Sequence, residues 1–229
     1  MNGRTTGVDQ DLSAWLTPEL EASQRQPEIV AVGFQEIVEL SPQQIMNSDP
    51  TRKQAWEKVV RKTLNRQARI AGSEHYVLLR SGQLVGAALC IFVKSSSLRQ
   101  VKNVEGSVKK TGMSGMAGNK GAVAIRMDYA NTQICFVTAH LAAGFANYEE
   151  RNRDYNTIHH GLRFQRNRRI DDHGEWDTKS LRERLLTFCL DSVIWMGDFN
   201  YRIGLSSEKV RQLIKVGDLE TMYENDQVC

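Results

Sequence analysis

Two apolar runs constrain this 229-residue chain more than any other feature: residues 193–196, inside VIWMGDFNYRI, and residues 29–34, inside EIVAVGFQE. Neither run alternates apolar with polar residues, so each reads as a strand covered on both faces, as in the sheets of α/β proteins. Each breaks off at a carboxylate, Asp198 in the first and Glu36 in the second. Gly197 lets the backbone turn there, and in extended geometry Asp198 and Asn200 share one side while Phe199 and Tyr201 take the other. A carboxylate beside a carboxamide can hold a water: the first accepts its proton or binds metal, and the second orients it or a phosphate oxygen. The same residues also suit a plain strand end closed by an Asx turn, and Glu36 also suits a surface strand terminus.

Helical periodicity appears at 12–20 and again at 51–70, where Ala55, Trp56, Val59, Val60, Thr63, Leu64, Gln67 and Ala68 recur at i, i+3 and i+4 among Lys and Arg. This is a packing helix with a solvated basic face. Residues 75–80 and 84–93 read as a hairpin with Ser81, Gly82 and Gln83 at its turn, 98–108 as another strand, and 122–128 with 133–141 as a second antiparallel pair. Between the pairs lies TGMSGMAGNKGAV, residues 111–123, with four glycines and one lysine. A phosphate-wrapping loop, to which Lys120 adds a point charge and Asn119 a neutral donor, and a flexible hairpin connection are both open. The nucleotide-binding pattern GxxxxGK[ST] is not matched. His140 stands where a strand leaves the core, as a reactive group or a satisfied structural one. Residues 148–160 read as a polar helix, and Arg163, Arg166, Arg168 and Arg169 follow as a cluster that suits an anionic surface or a solvated loop.

A hydrophobic content of 41% supplies one sizeable core, hence one globular domain, and a net charge of +3 does not call for nucleic acid. Cys90, Cys135, Cys189 and Cys229 show no CxxC spacing, which points to reduced thiols in a reducing compartment. No run approaches the roughly 18 apolar residues of a membrane helix, and the N-terminus is polar, so a cytoplasmic chain without a transmembrane segment is expected.

FQEIVEL, SGMAGNKGAV, TAHLAAG, ERNRDY and WMGDFNYRI, in that order, resemble the inositol polyphosphate 5-phosphatases, of the fungal synaptojanin type, over nearly the whole chain. The resemblance implies an α/β fold, the deoxyribonuclease I-like two-sheet sandwich flanked by helices. It implies Mg2+-dependent hydrolysis of the 5-phosphate of phosphoinositides, such as phosphatidylinositol 4,5-bisphosphate, or of soluble inositol polyphosphates. By the same resemblance Glu36 is the magnesium ligand, Asp198 and Asn200 orient or activate the attacking water, and His140 contacts the scissile phosphate. Asn119 and Lys120 hold the inositol 1-phosphate, and Arg202 helps shape the pocket. Magnesium binds through one or two carboxylates, waters and phosphate oxygens, so a single strong protein ligand can place it. The partner is then a phosphoinositide lipid at a peripheral membrane surface or a soluble inositol polyphosphate, with no nucleic acid expected.

Three departures qualify the match. Of the family's opening Asn-x-Asn-Gly only Asn2 and Gly3 are present, and the chain stops at Cys229, before the PxWCDR and SDH motifs. The expectation is a partial catalytic domain over 1–229 with an incomplete fold, whose own turnover is in question because members of a coupled catalytic unit fail together. A non-catalytic phosphoinositide-binding fragment is the alternative from another class. A nuclease of the same fold is a further one, against which GNKGAV and NYRI count. Third, residues 174–190 form an atypical insert, either translated, unremoved intron or a surface helix with Leu181, Leu185 and Leu186 on one face. If it is intron, the codons of Gly174 and Glu175 contain GTGAG and spliced transcripts lack the segment; transcript sequencing that retains it ends that idea.

Overall fold

The computed structural model describes residues 3, 10–17, 26–42, 49–165, 184–185 and 190–228. One sheet has the strand order β1-β3-β2, from β1 (Ile29–Phe34), β2 (Tyr76–Leu84) and β3 (Ala87–Lys94), all antiparallel. The second has the order β4-β5-β6-β9, from β4 (Val101–Thr111), β5 (Ala117–Tyr129), β6 (Thr132–His140) and β9 (Ser192–Asp198). Its strands are antiparallel except for the β6–β9 pair, which is parallel. The short strands β7 (Phe164–Gln165) and β8 (Arg184–Leu185) pair separately.

All eight positions of β3, the uninterrupted apolar run Ala87–Val93 and Lys94, are buried because the strand is covered twice. Cys90 and Phe92 face α2 (Thr51–Ile70), which contributes Trp56, Val60, Leu64 and Ala68. Leu89, Ile91 and Val93 face the other sheet and meet Val123, Ile125, Met127 and Phe136. The second sheet's outer face, Ala122, Ala124, Cys135, Val137 and Ala139, packs with Ile158 of α3 (Tyr148–Gly161) and with Leu162 and Phe164. Each large apolar side chain buried in this way contributes about 1.5–3 kcal/mol, which is what joins the layers helix, sheet, sheet, helix. Cys90 and Cys135 are buried free thiols; Cys189 and Cys229 lie outside the described residues. A single helical turn, α1 (Ser13–Leu16), precedes β1, and α4 (Ser207–Val216) and α5 (Leu219–Glu224) follow β9.

The strand at 193–196 is not covered on both faces as its apolar run suggested: β9 is last in the order of its sheet, none of its residues is buried, and Ile194 is exposed. Several boundaries also differ from the sequence expectations. The first hairpin turns at Val85 and Gly86, and Ser81, Gly82 and Gln83 are strand residues. Gly82 is small for a packing reason, since a Cβ there would lie 2.7 Å from Val123 Cγ1 of the facing sheet. The strand expected at 98–108 begins only at Val101, after a 3-10 turn over Ser95–Gln100. The glycine-rich segment forms no wrapping loop: β4 runs into it and β5 out of it, so only 112–116 make the tip of a long hairpin. The helix expected from 12 ends by Thr17, and 18–20 lie outside the described residues. Leu185 is extended opposite Phe164, so a helix does not pass through it; Leu181 and Leu186 lie outside the described residues, as do Arg166, Arg168 and Arg169.

The parallel β6–β9 pair depends on Gly197, which has φ +134° and whose absent Cβ would overlap the carbonyl oxygen of Ala139. Gly197→Ala is expected to cost about 2–4 kcal/mol and to lower the thermal midpoint by roughly 5–10 °C. Circular dichroism melting of the variant checks this.

Candidate active site

His140 is the last residue of β6, and the register sets it opposite Gly121 of β5 and Asp198 of β9. Lys120 precedes Gly121 on β5, and Glu36 follows the end of β1 in the facing sheet. The strand ends therefore deliver four ionisable side chains to one edge of the sandwich. His140 Nε2 lies 2.6 Å from Lys120 Nζ, 3.7 Å from Asp198 Oδ2 and 3.9 Å from Glu36 Oε1. The imidazole is buried, whereas both carboxylates are partly open to solvent.

Two cations cannot both occupy a 2.6 Å contact. Burial, and then the Lys120 charge, lower the His140 pKa from its ordinary 6.5. Burial also lowers the Lys120 pKa, opposed by the charges of Asp198 and Glu36. Lysine starts about four units higher, so the stable arrangement is an ammonium donating to a neutral imidazole at Nε2.

Asp198 and Asn200 share the cleft by a different route from simple alternation. Asn200 has φ +58°, in the left-handed region that Asn enters more readily than other side-chain-bearing residues. Its backbone N donates to Asp198 Oδ1 at 3.1 Å, an Asx turn, while Asp198 Oδ2 faces His140. The plain strand-end arrangement and the cleft-facing carboxylate are thus two oxygens of one side chain. Asn200 Nδ2 donates to the Leu141 carbonyl at 3.1 Å, and Arg202 Nη2 donates to Asn200 Oδ1 at 3.4 Å. Phe199 and Tyr201 do point the other way, into the apolar cluster beneath α3. Glu36 also has a positive φ, +55°, a conformation costing roughly 1–2 kcal/mol for a residue with a Cβ. The β2–β3 turn holds it there: Ile37 N donates to the Gly86 carbonyl at 3.1 Å, and a Cβ on Gly86 would come within 3.3 Å of Glu36 Cα.

Asn119 is not brought to this group. It neighbours Lys120 on a strand and so faces the other way, with Oδ1 buried against Gly112 and no hydrogen-bond partner among the described residues.

Two residues of ERNRDY, Arg151 and Asp154, had no role in the sequence expectations. Asp154 Oδ2 accepts from Ala142 N at 3.0 Å, and burial raises its pKa. Arg151 Nη1 donates to the carbonyls of Ala142, at 3.2 Å, and Gly144, at 2.7 Å. Helix α3 therefore grips both backbone polar groups of Ala142, two residues beyond His140. The signal in the sequence was spacing: 151, 154 and 158 lie on one helical face, and Ile158 marks that face as buried.

The endonuclease/exonuclease/phosphatase family 2 model matches residues 1–229, and the chain belongs to that family. Within it, the similarity is to inositol polyphosphate 5-phosphatases of the fungal synaptojanin type. The chain is 49% identical over 217 residues to inositol-1,4,5-trisphosphate 5-phosphatase 1 of Schizosaccharomyces pombe, covering 95% of this chain and 18% of that protein. It is 43% identical over 231 residues to the polyphosphatidylinositol phosphatase INP53 of Saccharomyces cerevisiae, covering 100% of this chain and 18% of that one. A crystal structure of the inositol polyphosphate 5-phosphatase domain of SPsynaptojanin, in complex with inositol (1,4)-bisphosphate and calcium ion, superposes with a TM-score of 0.77 at 46% identity. That superposition covers 99% of this chain and 58% of the solved one. The two-sheet sandwich expected from the resemblance is the fold observed.

Because the His140 pKa is depressed in the folded state, the unfolded chain takes up the proton first as pH falls. The stability of the neutral imidazole is complete above pH 6.5 and is lost as pH drops through the lower folded value. Urea midpoints measured from about pH 7 to about pH 5 should fall less steeply for His140→Gln than for the parent.

Proposed function

We propose that the chain carries a divalent-metal-dependent 5-phosphatase site for phosphoinositides or inositol polyphosphates, within one partial catalytic domain over 1–229. The observation that carries this is the convergence of the Glu36 and Asp198 carboxylates and the Lys120 ammonium on His140 Nε2. The donor set suits magnesium: two partly solvated carboxylates at strand ends, and no cage of three or more His, Cys, Asp or Glu among the described residues. A hard cation that keeps its waters and takes phosphate oxygens needs only one or two protein carboxylates, with Glu36 the ligand and Asp198 beside it. When bound, magnesium supplies Lewis-acid polarisation of a phosphoryl oxygen.

The chain's own groups supply the rest. Asp198 Oδ2 accepts the proton of an attacking water. Asn200, pinned by Leu141 and Arg202, presents a fixed amide beside that water. Lys120 and His140 face the charge that develops on the phosphoryl oxygens, and the half-buried ammonium and buried imidazole, already in contact, need little reorganisation to do so. Arg202 acts through Asn200, while Asn119, facing away from Lys120, stands apart from this group. For a lipid substrate, Met113, Met116 and Phe145, exposed on the hairpin tip and on the loop after His140, supply apolar contacts for a membrane surface. No helix among the described residues is long and apolar enough to cross a membrane.

The test is release of phosphate from vesicles containing phosphatidylinositol 4,5-bisphosphate, and from soluble inositol 1,4,5-trisphosphate, with magnesium. Because the chain spans 58% of the solved domain, the assay includes a chimaera completed with the remaining residues of that domain. Glu36→Gln and Asp198→Asn should each lower kcat by about 10²-fold or more while leaving the melting temperature nearly unchanged, and a chelator should abolish turnover. Absence of turnover in the chimaera would overturn the proposal.

A further inference from the structure

We infer that Gln227 and Arg151 form a brace that locks the loop carrying Asp198 and Asn200 to the loop that follows His140, which makes Gln227 a positioning residue of the site. Gln227 uses its amide in both directions. Its Oε1 accepts from Arg151 Nη2 at 2.5 Å and from Arg202 N at 3.1 Å, and its Nε2 donates to the Phe145 carbonyl at 3.2 Å. Its backbone N donates to the Arg202 carbonyl at 3.1 Å, and the bridge Ile203 to Asp226 continues that pairing by one residue. One side chain thus touches 202 on one side and 145 on the other.

Arg151 completes the connection from below. It is fully buried, with Nη1 on the carbonyls of Ala142 and Gly144 and Nη2 on Gln227, and its guanidinium lies 5.4 Å from the Tyr201 ring centroid. Tyr201 is tied to the same helix by its hydroxyl, which donates to Asn152 Oδ1 at 2.5 Å. A planar fork satisfied on two faces fixes direction as well as distance, which a flexible ammonium would not. Asn200 hangs between the two loops, held by the Leu141 carbonyl and by Arg202, so slack in either loop reaches Asn200 and Asp198. Among the described residues, no group of the brace hydrogen-bonds to His140, Glu36 or Lys120, so its influence on chemistry is by placement. The inference rests on the 5-phosphatase proposal for its catalytic consequence and on these contacts for its mechanical one.

Both parts are tested with the chain and the chimaera described above. In Gln227→Ala, amide exchange at Leu141, Ala142, Asn200 and Arg202 should accelerate together by about tenfold or more, with Ile125 and Met127 in β5 unchanged. Arg151→Lys should give the same pattern, and the double variant should exceed either single one only slightly, as expected for one coupled unit. Turnover of soluble inositol 1,4,5-trisphosphate by Gln227→Ala should lose about tenfold or more in kcat with KM within about threefold. Gln227→Glu, which keeps both acceptor contacts but loses the donation to the Phe145 carbonyl, should recover only part of that loss. Faster exchange confined to 202–204, with 141–142 unmoved, would overturn the brace, as would an unchanged kcat in Gln227→Ala. If the parent chimaera shows no turnover, the hydrolase proposal fails, and the exchange pattern alone decides the brace.

Discussion

The parallel pairing of β6 with β9 is the contact on which the site depends. It puts His140 opposite Asp198, and it does so only because Gly197 leaves room for the Ala139 carbonyl. The other arrivals follow from the same frame. The antiparallel β5–β6 register sets Gly121, and hence Lys120, beside His140, and the facing sheet brings Glu36 to the same edge through β1. His140 and Asp198 end their strands, Lys120 lies three residues into β5, and Glu36 follows β1 by two residues. Catalytic groups set on rigid elements gain placement that loops cannot supply.

That placement carries a conformational cost at two positions. Glu36 and Asn200 both have positive φ, and each is held there by a neighbour: the Gly86 carbonyl through Ile37, and the Leu141 carbonyl through the Asn200 amide. Burial of the Lys120 and His140 pair adds an electrostatic cost, visible in the downward shift of both pKa values, while Asp198 and Glu36 offset it from the solvent side. A low-dielectric wall on one side and open carboxylates on the other is an arrangement that favours an anion next to the ammonium and a hard cation next to the carboxylates. Helix α3 then acts as the fixed base for both loops, through Asp154 and Arg151 toward 142–144 and through Asn152 toward Tyr201.

The layers were legible in the sequence because they depend on local periodicity. The 3.6-residue stripe of α2 stands where pattern placed it, and the antiparallel pair expected at 122–128 and 133–141 is β5 with β6. Glycine misled wherever its reason was contact and not turning. Gly82 serves the approach of two sheets, and Gly118 and Gly121 lie inside β5, where they admit Val85 and the Lys109 carbonyl. In sequence, a glycine that makes room for a neighbour looks the same as one that turns the chain. The insert at 174–190 shows the same limit from the other side, since the spacing of its leucines suggested a helix and Leu185 instead pairs with Phe164.

By itself, the sequence determined the order of the main strands and of the two long helices, the carboxylates that follow two apolar strands, and, through its motifs, the family to which the chain belongs. Those properties are local or are carried by short strings. Only the tertiary structure decided that Lys120 touches His140 while Asn119 turns away, that Asp198 divides its two oxygens between an Asx turn and the cleft, and that Gln227 and Arg151 meet. Each of these joins residues through backbone signs and contacts between segments distant in the chain, or through the direction a side chain takes off a strand. Periodicity specifies which face a residue occupies, whereas the sign of φ and the partner across the interface are set by packing.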